Sequence, residues 1–325
     1  ELARLNLGNV AAYQNARATA WNWLMTYPMQ NNVWANYFED VAILSDLGNV
    51  TQMNALMTAR YLLEHPEYDA NWEAHVRGLI AWSESRFGVD QYGAKTIKEQ
   101  VAFMHAMGSH TARYASVNAL LYEKTGDLAA KEKAYRSFNW ATYMARSNGV
   151  VIDGPTVNNQ WFTDGYGDYI RHFMVGMGAV PEWAPNAQTH LVRSSSVVNN
   201  VTYEASRLSY TTFDAGGTEV IRVDRAPTGV TLNGTVLAQR TDLTAEGWMY
   251  DAAASVVRIR HDNGNSVAVV FDGLPVNQLP TVNLTAPANG AAFTATASFR
   301  LNATDSDSDG TVAKVEYYQG TTLIG

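Results

Sequence analysis

The sequence predicts a multidomain chain in which helices come first and strands follow. Stacked αα-hairpins occupy residues 1–180, an antiparallel β-sandwich spans 190–274, and a further β-sandwich begins over 280–325. Three observations carry this reading. Apolar residues recur at three- and four-residue spacing as far as Gly178. Beyond the Pro181 to Pro185 linker the pattern turns into short alternating runs separated by glycine and asparagine turns. Leu279-Pro280 then opens a stretch of new composition.

The helical elements follow in order. From Asn9 to Met29, Val10, Tyr13, Ala16, Ala20 and Leu24 lie on one face, and Tyr27-Pro28 stops the helix because proline cannot continue it. Thr51 to Glu64 ends at His65-Pro66, and Asn71 to Phe87 runs up to Gly88. Ser109–Thr125 and Asp127–Arg146 form the clearest hairpin, since Gly126 suits the C-cap of the first helix and Asp127 the N-cap of the second. Each helix has one apolar stripe, so successive hairpins must stack to bury it.

Three stretches are too polar or too strained for plain core helices. In Gln160 to Met174, two glycines accompany Trp161, Asp164, Tyr166, Asp168, Arg171 and His172. If the stretch is helical, positions 161, 164, 168 and 172 project from one face. An ordinary cap and ion pair would use the same residues. The loop Asn31 to Asp40 gathers Trp34, Tyr37, Glu39 and Asp40, where acids beside aromatics suit a sugar cleft or, more simply, a turn. Around the Gly108-Ser109 break lie His105, His110, Arg113 and Tyr114, a set able to abstract a proton beside a uronate carboxylate or to serve as satisfied core residues.

Strands are expected at 196–203, 207–214, 219–223, 229–232, 248–250, 256–261 and 266–271, with turns at Gly216-Gly217, Asn233-Gly234 and Asp262-Asn263-Gly264. The frame from Pro227-Thr-Gly-Val-Thr-Leu-Asn-Gly234 through Gly247-Trp-Met-Tyr-Asp251 to Val256-Val-Arg-Ile-Arg-His261 resembles the accessory β-domain that follows the catalytic domain of many glycosidases. Residues 280–325, from Pro280-Thr-Val-Asn-Leu-Thr-Ala-Pro to Lys314-Val-Glu-Tyr-Tyr-Gln-Gly, resemble the bacterial Ig-like modules of secreted carbohydrate-active enzymes and adhesins. The stretch holds three or four strands, fewer than the seven or so of a closed sandwich. Inside it Asp305, Asp307, Asp309, Gly310 and Glu316 fit the spacing of a calcium loop, although flanking strands favour a metal-free acidic turn.

The order of helical hairpins, β-sandwich and Ig-like module resembles the α/α-toroid carbohydrate-active enzymes, among them six-hairpin glycosidases and several polysaccharide lyases. About seven helices are readable, against nearly twice that in a closed ring, so a partial α/α toroid is the expectation.

Bulk composition narrows the chemistry. The 325 residues carry a net charge of −8 and no cysteine, which excludes disulfides, zinc-thiolate sites and thiol catalysis. No basic stripe suits nucleic acid, and no apolar run reaches the roughly 20 residues that span a bilayer. Nine Trp and seventeen Tyr supply flat amphipathic faces suited to sugar rings.

The resemblance therefore implies a secreted or cell-surface bacterial protein acting on a polysaccharide or oligosaccharide, with no required cofactor and at most a structural calcium. The first expectation is a glycoside hydrolase pairing Asp164 or Asp168 with Glu39 or Asp40, while Trp34, Tyr37, Trp161 and Tyr166 bind sugar and Arg171 and His172 orient the acids. The second is a uronate lyase with His110, Tyr114 or Tyr166 as base and Arg113 or Arg171 neutralising the carboxylate. A non-catalytic glycan-binding display protein is the third.

Overall fold

The structure, a computed structural model, describes residues 2–32, 34, 51, 53–100, 105–155, 168–272, 280–307 and 311–325. The chain divides into two compact units, Glu1–Ala184 and Pro185–Gly325.

The first unit is helical. Helix α1 (Val10–Thr26) starts where the Asn9 side chain accepts from the Ala12 amide, and α2 (Pro28–Asn31) opens on the proline that ends it. Helices α3 (Met53–Glu64) and α4 (Trp72–Phe87) pack together, and Trp21 of α1 meets Tyr61 of α3 at a ring separation of 5.5 Å. A hairpin of β1 (Gly88–Gln91) and β2 (Ala94–Ile97) follows. Sequence reading passed over it, because its Tyr92-Gly93 turn lacks the usual Asn-Gly signal. Helix α5 (Gly108–Thr125) joins α6 (Leu128–Thr142) through Gly126, whose φ of 75° needs glycine, and Asp127, whose carboxylate caps the Ala129 and Ala130 amides.

Helix α6 stops at Thr142 instead of continuing to Arg146. The reason is a competing pairing: the Arg146 amide donates to the Val150 carbonyl and the Ile152 amide to that of Met144, around a left-handed Gly149. Helix α7 (Asp168–Ala179) completes the unit. Gly176 leaves room for the Phe138 ring of α6; a Cβ there would come within 2.5 Å of it.

Helix α5 occupies the centre, touching α3, α6, α7 and β2, and every residue from Gly108 to Leu121 is buried. A helix buried all round normally reads as uniformly apolar. This one carries Ser109, His110, Thr111, Arg113, Ser116 and Asn118, and each polar group must be satisfied inside the protein.

Among its described residues the second unit holds two larger antiparallel sheets and two two-stranded ones. Strands β3 (His190–Ser194), β6 (Gly217–Arg222), β10 (Val256–His261) and β9 (Gly247–Asp251) form one sheet, in that spatial order. The other runs β4 (Val198–Tyr203), β5 (Arg207–Thr212), β11 (Ser266–Val270), β7 (Gly229–Leu232) and β8 (Thr235–Val236). One core draws on both, with Ile221, Trp248, Val257 and Ile259 from the first sheet against Leu208, Tyr210, Val230 and Val269 from the second. Strands β3 and β8 escaped sequence reading: His190–Ser194 is half-buried throughout and does not alternate, and β8 has only two residues. Beyond them, β12 (Thr281–Ala286) pairs with β13 (Asn302–Ser306), and β14 (Tyr318–Gln319) with β15 (Thr322–Leu323).

Candidate functional site

The polar side chains of α5 find their partners mainly on α7. Arg113, 2% exposed, donates from Nη2 to Asp168 Oδ2, and the other carboxylate oxygen takes Arg171 Nη2. Asp168 and His172 lie one helical turn apart on α7, which brings Nε2 of the imidazole to 3.4 Å from Oδ1. On the far side of that ring, Nδ1 is 3.3 Å from Ser116 Oγ, which donates to the Arg113 carbonyl at 2.7 Å. Arg113 Nη1 stands 3.1 Å from His110 Nδ1. A guanidinium only donates, so that nitrogen accepts, and the proton of the neutral ring sits on Nε2. His110 Nε2 is buried and has no hydrogen-bond partner among the described residues.

The electrostatics follow from this packing. Burial pushes the His110 pKa well below its usual value, and the neighbouring Arg113 cation pushes the same way. His172 is held down at about 4, again chiefly by burial, with Asp168 pulling in the opposite direction. Burial would raise the Asp168 pKa, yet the His172 hydrogen bond and the Arg113 and Arg171 charges together hold it far below the carboxylate range. At neutral pH the cluster is thus one fixed carboxylate, two guanidinium groups and two uncharged imidazoles.

A pH dependence is expected from the two rings. Their folded pKa values lie below the unfolded value of about 6.5, so the unfolded chain binds protons first as pH falls. The helical unit should keep its full stability above about 6.5 and lose it progressively toward pH 4. Urea midpoints of the unit's tryptophan signal across that range will check this, and His172→Gln should flatten part of the slope.

Other residues singled out by sequence fall elsewhere. Tyr114 stands about 100° around the helix from Arg113, and although His110 is its i−4 neighbour, its hydroxyl runs to α4, where it donates to Glu84 Oε1 at 2.5 Å, beside Lys133. Burial first, and Glu84 second, raise its pKa beyond the ordinary tyrosine range. Trp34 is 2% exposed, so it is a core residue and not an open platform for sugar. Its Nε1 donates to Asn32, and its edge contributes to a cleft of about 540 Å³ shared with Trp21, Trp23 and Tyr61. Tyr37, Glu39, Asp40, Trp161, Asp164 and Tyr166 lie outside the described residues.

For the calcium-loop pattern, Asp305 lies in β13 opposite Val282, and Asp309 is outside the described residues. Glu316 bonds Lys314 at 2.5 Å and the Tyr318 hydroxyl at 2.8 Å. No group of three or more metal-binding side chains gathers among the described residues. Sequence reasoning passed over Ser116 and Glu84. The signal for Ser116 was available, since 110, 113 and 116 repeat at i+3 along a helix otherwise made for burial.

Comparison with known proteins adds one finding. Residues 280–325 match the bacterial Ig domain family. That module is typical of extracellular or surface proteins. No curated protein matches the chain. Among the described residues, no helix is long and apolar enough to cross a membrane.

Proposed function

We propose that this is a secreted carbohydrate-active enzyme whose helical unit, a partial α/α toroid, cleaves a uronate polysaccharide by β-elimination. The observation that favours elimination over hydrolysis is the charge state of the α5–α7 cluster. A glycosidase needs a carboxyl whose pKa is raised so that it can protonate the leaving oxygen. Asp168 is an ionised carboxylate, and with both oxygens taken by arginines it is open neither to give a proton nor to serve as the nucleophile or base that hydrolysis also needs.

Elimination asks for other groups. A cation must neutralise the substrate carboxylate so that the adjacent C–H bond becomes acidic, an uncharged base must take that proton, and the glycosidic oxygen leaves as the C4–C5 double bond forms. Arg171, half exposed on α7, suits the first role. The second role falls to a group held beside the cluster and not to His172, whose fully buried nitrogens face Asp168 and Ser116. His110 Nε2–H, a buried donor without an acceptor among the described residues, suits the developing negative charge.

Incubation with polygalacturonate, alginate, hyaluronan and xylan, following both ultraviolet absorbance and new reducing ends, tests the reading. Elimination gives both signals together, and Arg171→Gln should cut the rate at least 100-fold, on the order of what one transition-state donor contributes. Reducing ends without absorbance would turn the reading to hydrolysis. Binding without either signal would leave a display protein.

A further inference from the structure

A second cleft, of about 620 Å³, opens between the β1–β2 hairpin and the end of α6, and none of the cluster's side chains lines it. Its walls include Tyr92, Arg136, Asn139, Trp140 and Tyr143. Two of these are exposed to a degree that demands a reason: Tyr92 is 95% exposed and Tyr143 81%, whereas Trp140 between them is buried.

Tyr92 is also strained. It takes the first central position of a two-residue hairpin turn with φ of 52°, followed by Gly93 at 79°. Such a turn is made for Asn-Gly or Asp-Gly, and a bulky side chain there is a backbone outlier. Strain of this kind persists where something compensates for it. The turn itself is held by the β1–β2 pairing and by Arg136 Nη1, which reaches the Gly93 carbonyl at 3.5 Å, whereas the Tyr92 ring is left almost wholly exposed.

The chemistry of the walls identifies the occupant. Two tyrosine rings offer flat apolar faces with hydroxyl edges, which match the C–H face of a pyranose ring and its rim of hydroxyls. Beside them Asn139 provides an amide, and Arg136 a guanidinium steadied by Glu132 at 2.6 Å. A mostly apolar cleft with a few convergent planar hydrogen-bonding groups is the make-up of a ligand site. We propose that Tyr92 and Tyr143, backed by the buried Trp140 and joined by Asn139 and Arg136, form a saccharide-binding subsite that holds a pyranose segment of a polysaccharide chain away from the α5–α7 cluster. This rests on the carbohydrate reading above and adds to it a place where the polymer is gripped.

Affinity electrophoresis of the full chain through gels containing polygalacturonate, alginate, hyaluronan or xylan is the test. At least one polymer should retard the protein. On that polymer Tyr92→Asn and Tyr143→Ala should each raise the dissociation constant at least fivefold, while Tyr143→Phe keeps most of the affinity. Tyr92→Asn restores the favoured turn residue, so its melting temperature should rise by about 2–4 °C even as binding falls. A merely structural role for Tyr92 would move the two together.

Unchanged retardation of both variants would overturn the subsite, and so would a wild-type protein that no polymer retards. Its failure is separable from that of the catalytic reading. Products formed with tyrosine-independent retardation sink the subsite alone, whereas tyrosine-dependent retardation without products sinks the elimination chemistry alone.

Discussion

Replacing Arg113 by Met is expected to lower the stability of the helical unit by about 3 kcal/mol, the cost of breaking a buried ion pair. Arg113 is 2% exposed and its partner Asp168 13%, and the half-exposed Arg171 is the cation left on the carboxylate. The loss also strips His110 Nδ1 of its donor, in a ring whose Nε2 has no partner among the described residues. The double variant Arg113→Met/Asp168→Leu should recover most of the loss, because a well-packed apolar pair of similar volume is often as good as a buried salt bridge. Urea unfolding followed by tryptophan fluorescence measures all three. A single-variant cost below about 1 kcal/mol, the value of an exposed pair, would mean that this contact does not hold α5 to α7.

The second large effect lies in the β unit and has the opposite pH dependence. His261 and Glu219 are both completely buried, on neighbouring strands β10 and β6. His261 Nδ1 is 2.6 Å from the Gly264 carbonyl and Nε2 is 3.3 Å from the Glu219 carboxylate. Both partners only accept, so the ring must donate from both nitrogens, which makes it an imidazolium. Its pKa moves accordingly: burial pulls it down, but Glu219 and the carbonyls of Ala215 and Gly264 outweigh that and raise it. Tyr210 and Ser194 donate to the same carboxylate, at 3.2 and 3.1 Å.

Since the folded pKa lies above the unfolded value of about 6.5, this pair stabilises fully below pH 6.5 and the contribution disappears as pH rises through the folded pKa. The β unit should therefore weaken toward alkaline pH, whereas the helical unit weakens toward acid. Glu219→Leu should cost about 3 kcal/mol at pH 6, with less lost at pH 9, and should flatten the alkaline slope. Differential scanning calorimetry at a series of pH values resolves the two units. An alkaline slope that survives in Glu219→Leu would assign it to some other group. The same pair explains the Gly216-Gly217 turn, since a Cβ on Gly217 would lie 3.0 Å from His261 Nε2 and 3.1 Å from Glu219 Oε1.

Much of the fold was legible before any coordinates. Gly126 and Asp127 act through local backbone chemistry, so the α5–α6 junction could be placed to the residue. The strands Gly229–Leu232 and Val256–His261 were read with their observed bounds, because turn residues punctuate apolar runs on both sides. The β1–β2 hairpin was missed for the complementary reason: its turn uses a residue that local propensity argues against. Helix α6 was read four residues too long, since the pairing of 144–146 with 150–152 is a tertiary choice that periodicity does not record.

The candidate site divides along the same line. Sequence determined that Asp168 and His172 share a helical face, because i and i+4 are neighbours whatever surrounds them. It also determined the excess of polar residues on α5 and the Ig module at 280–325. Only the tertiary structure decided that Arg113, 55 residues earlier, reaches Asp168, and that Tyr114 turns away to Glu84. It alone decided the charges as well. A carboxylate's pKa depends on how much water it loses and which cations stand within a few ångströms, and both are fixed by packing between helices distant in sequence.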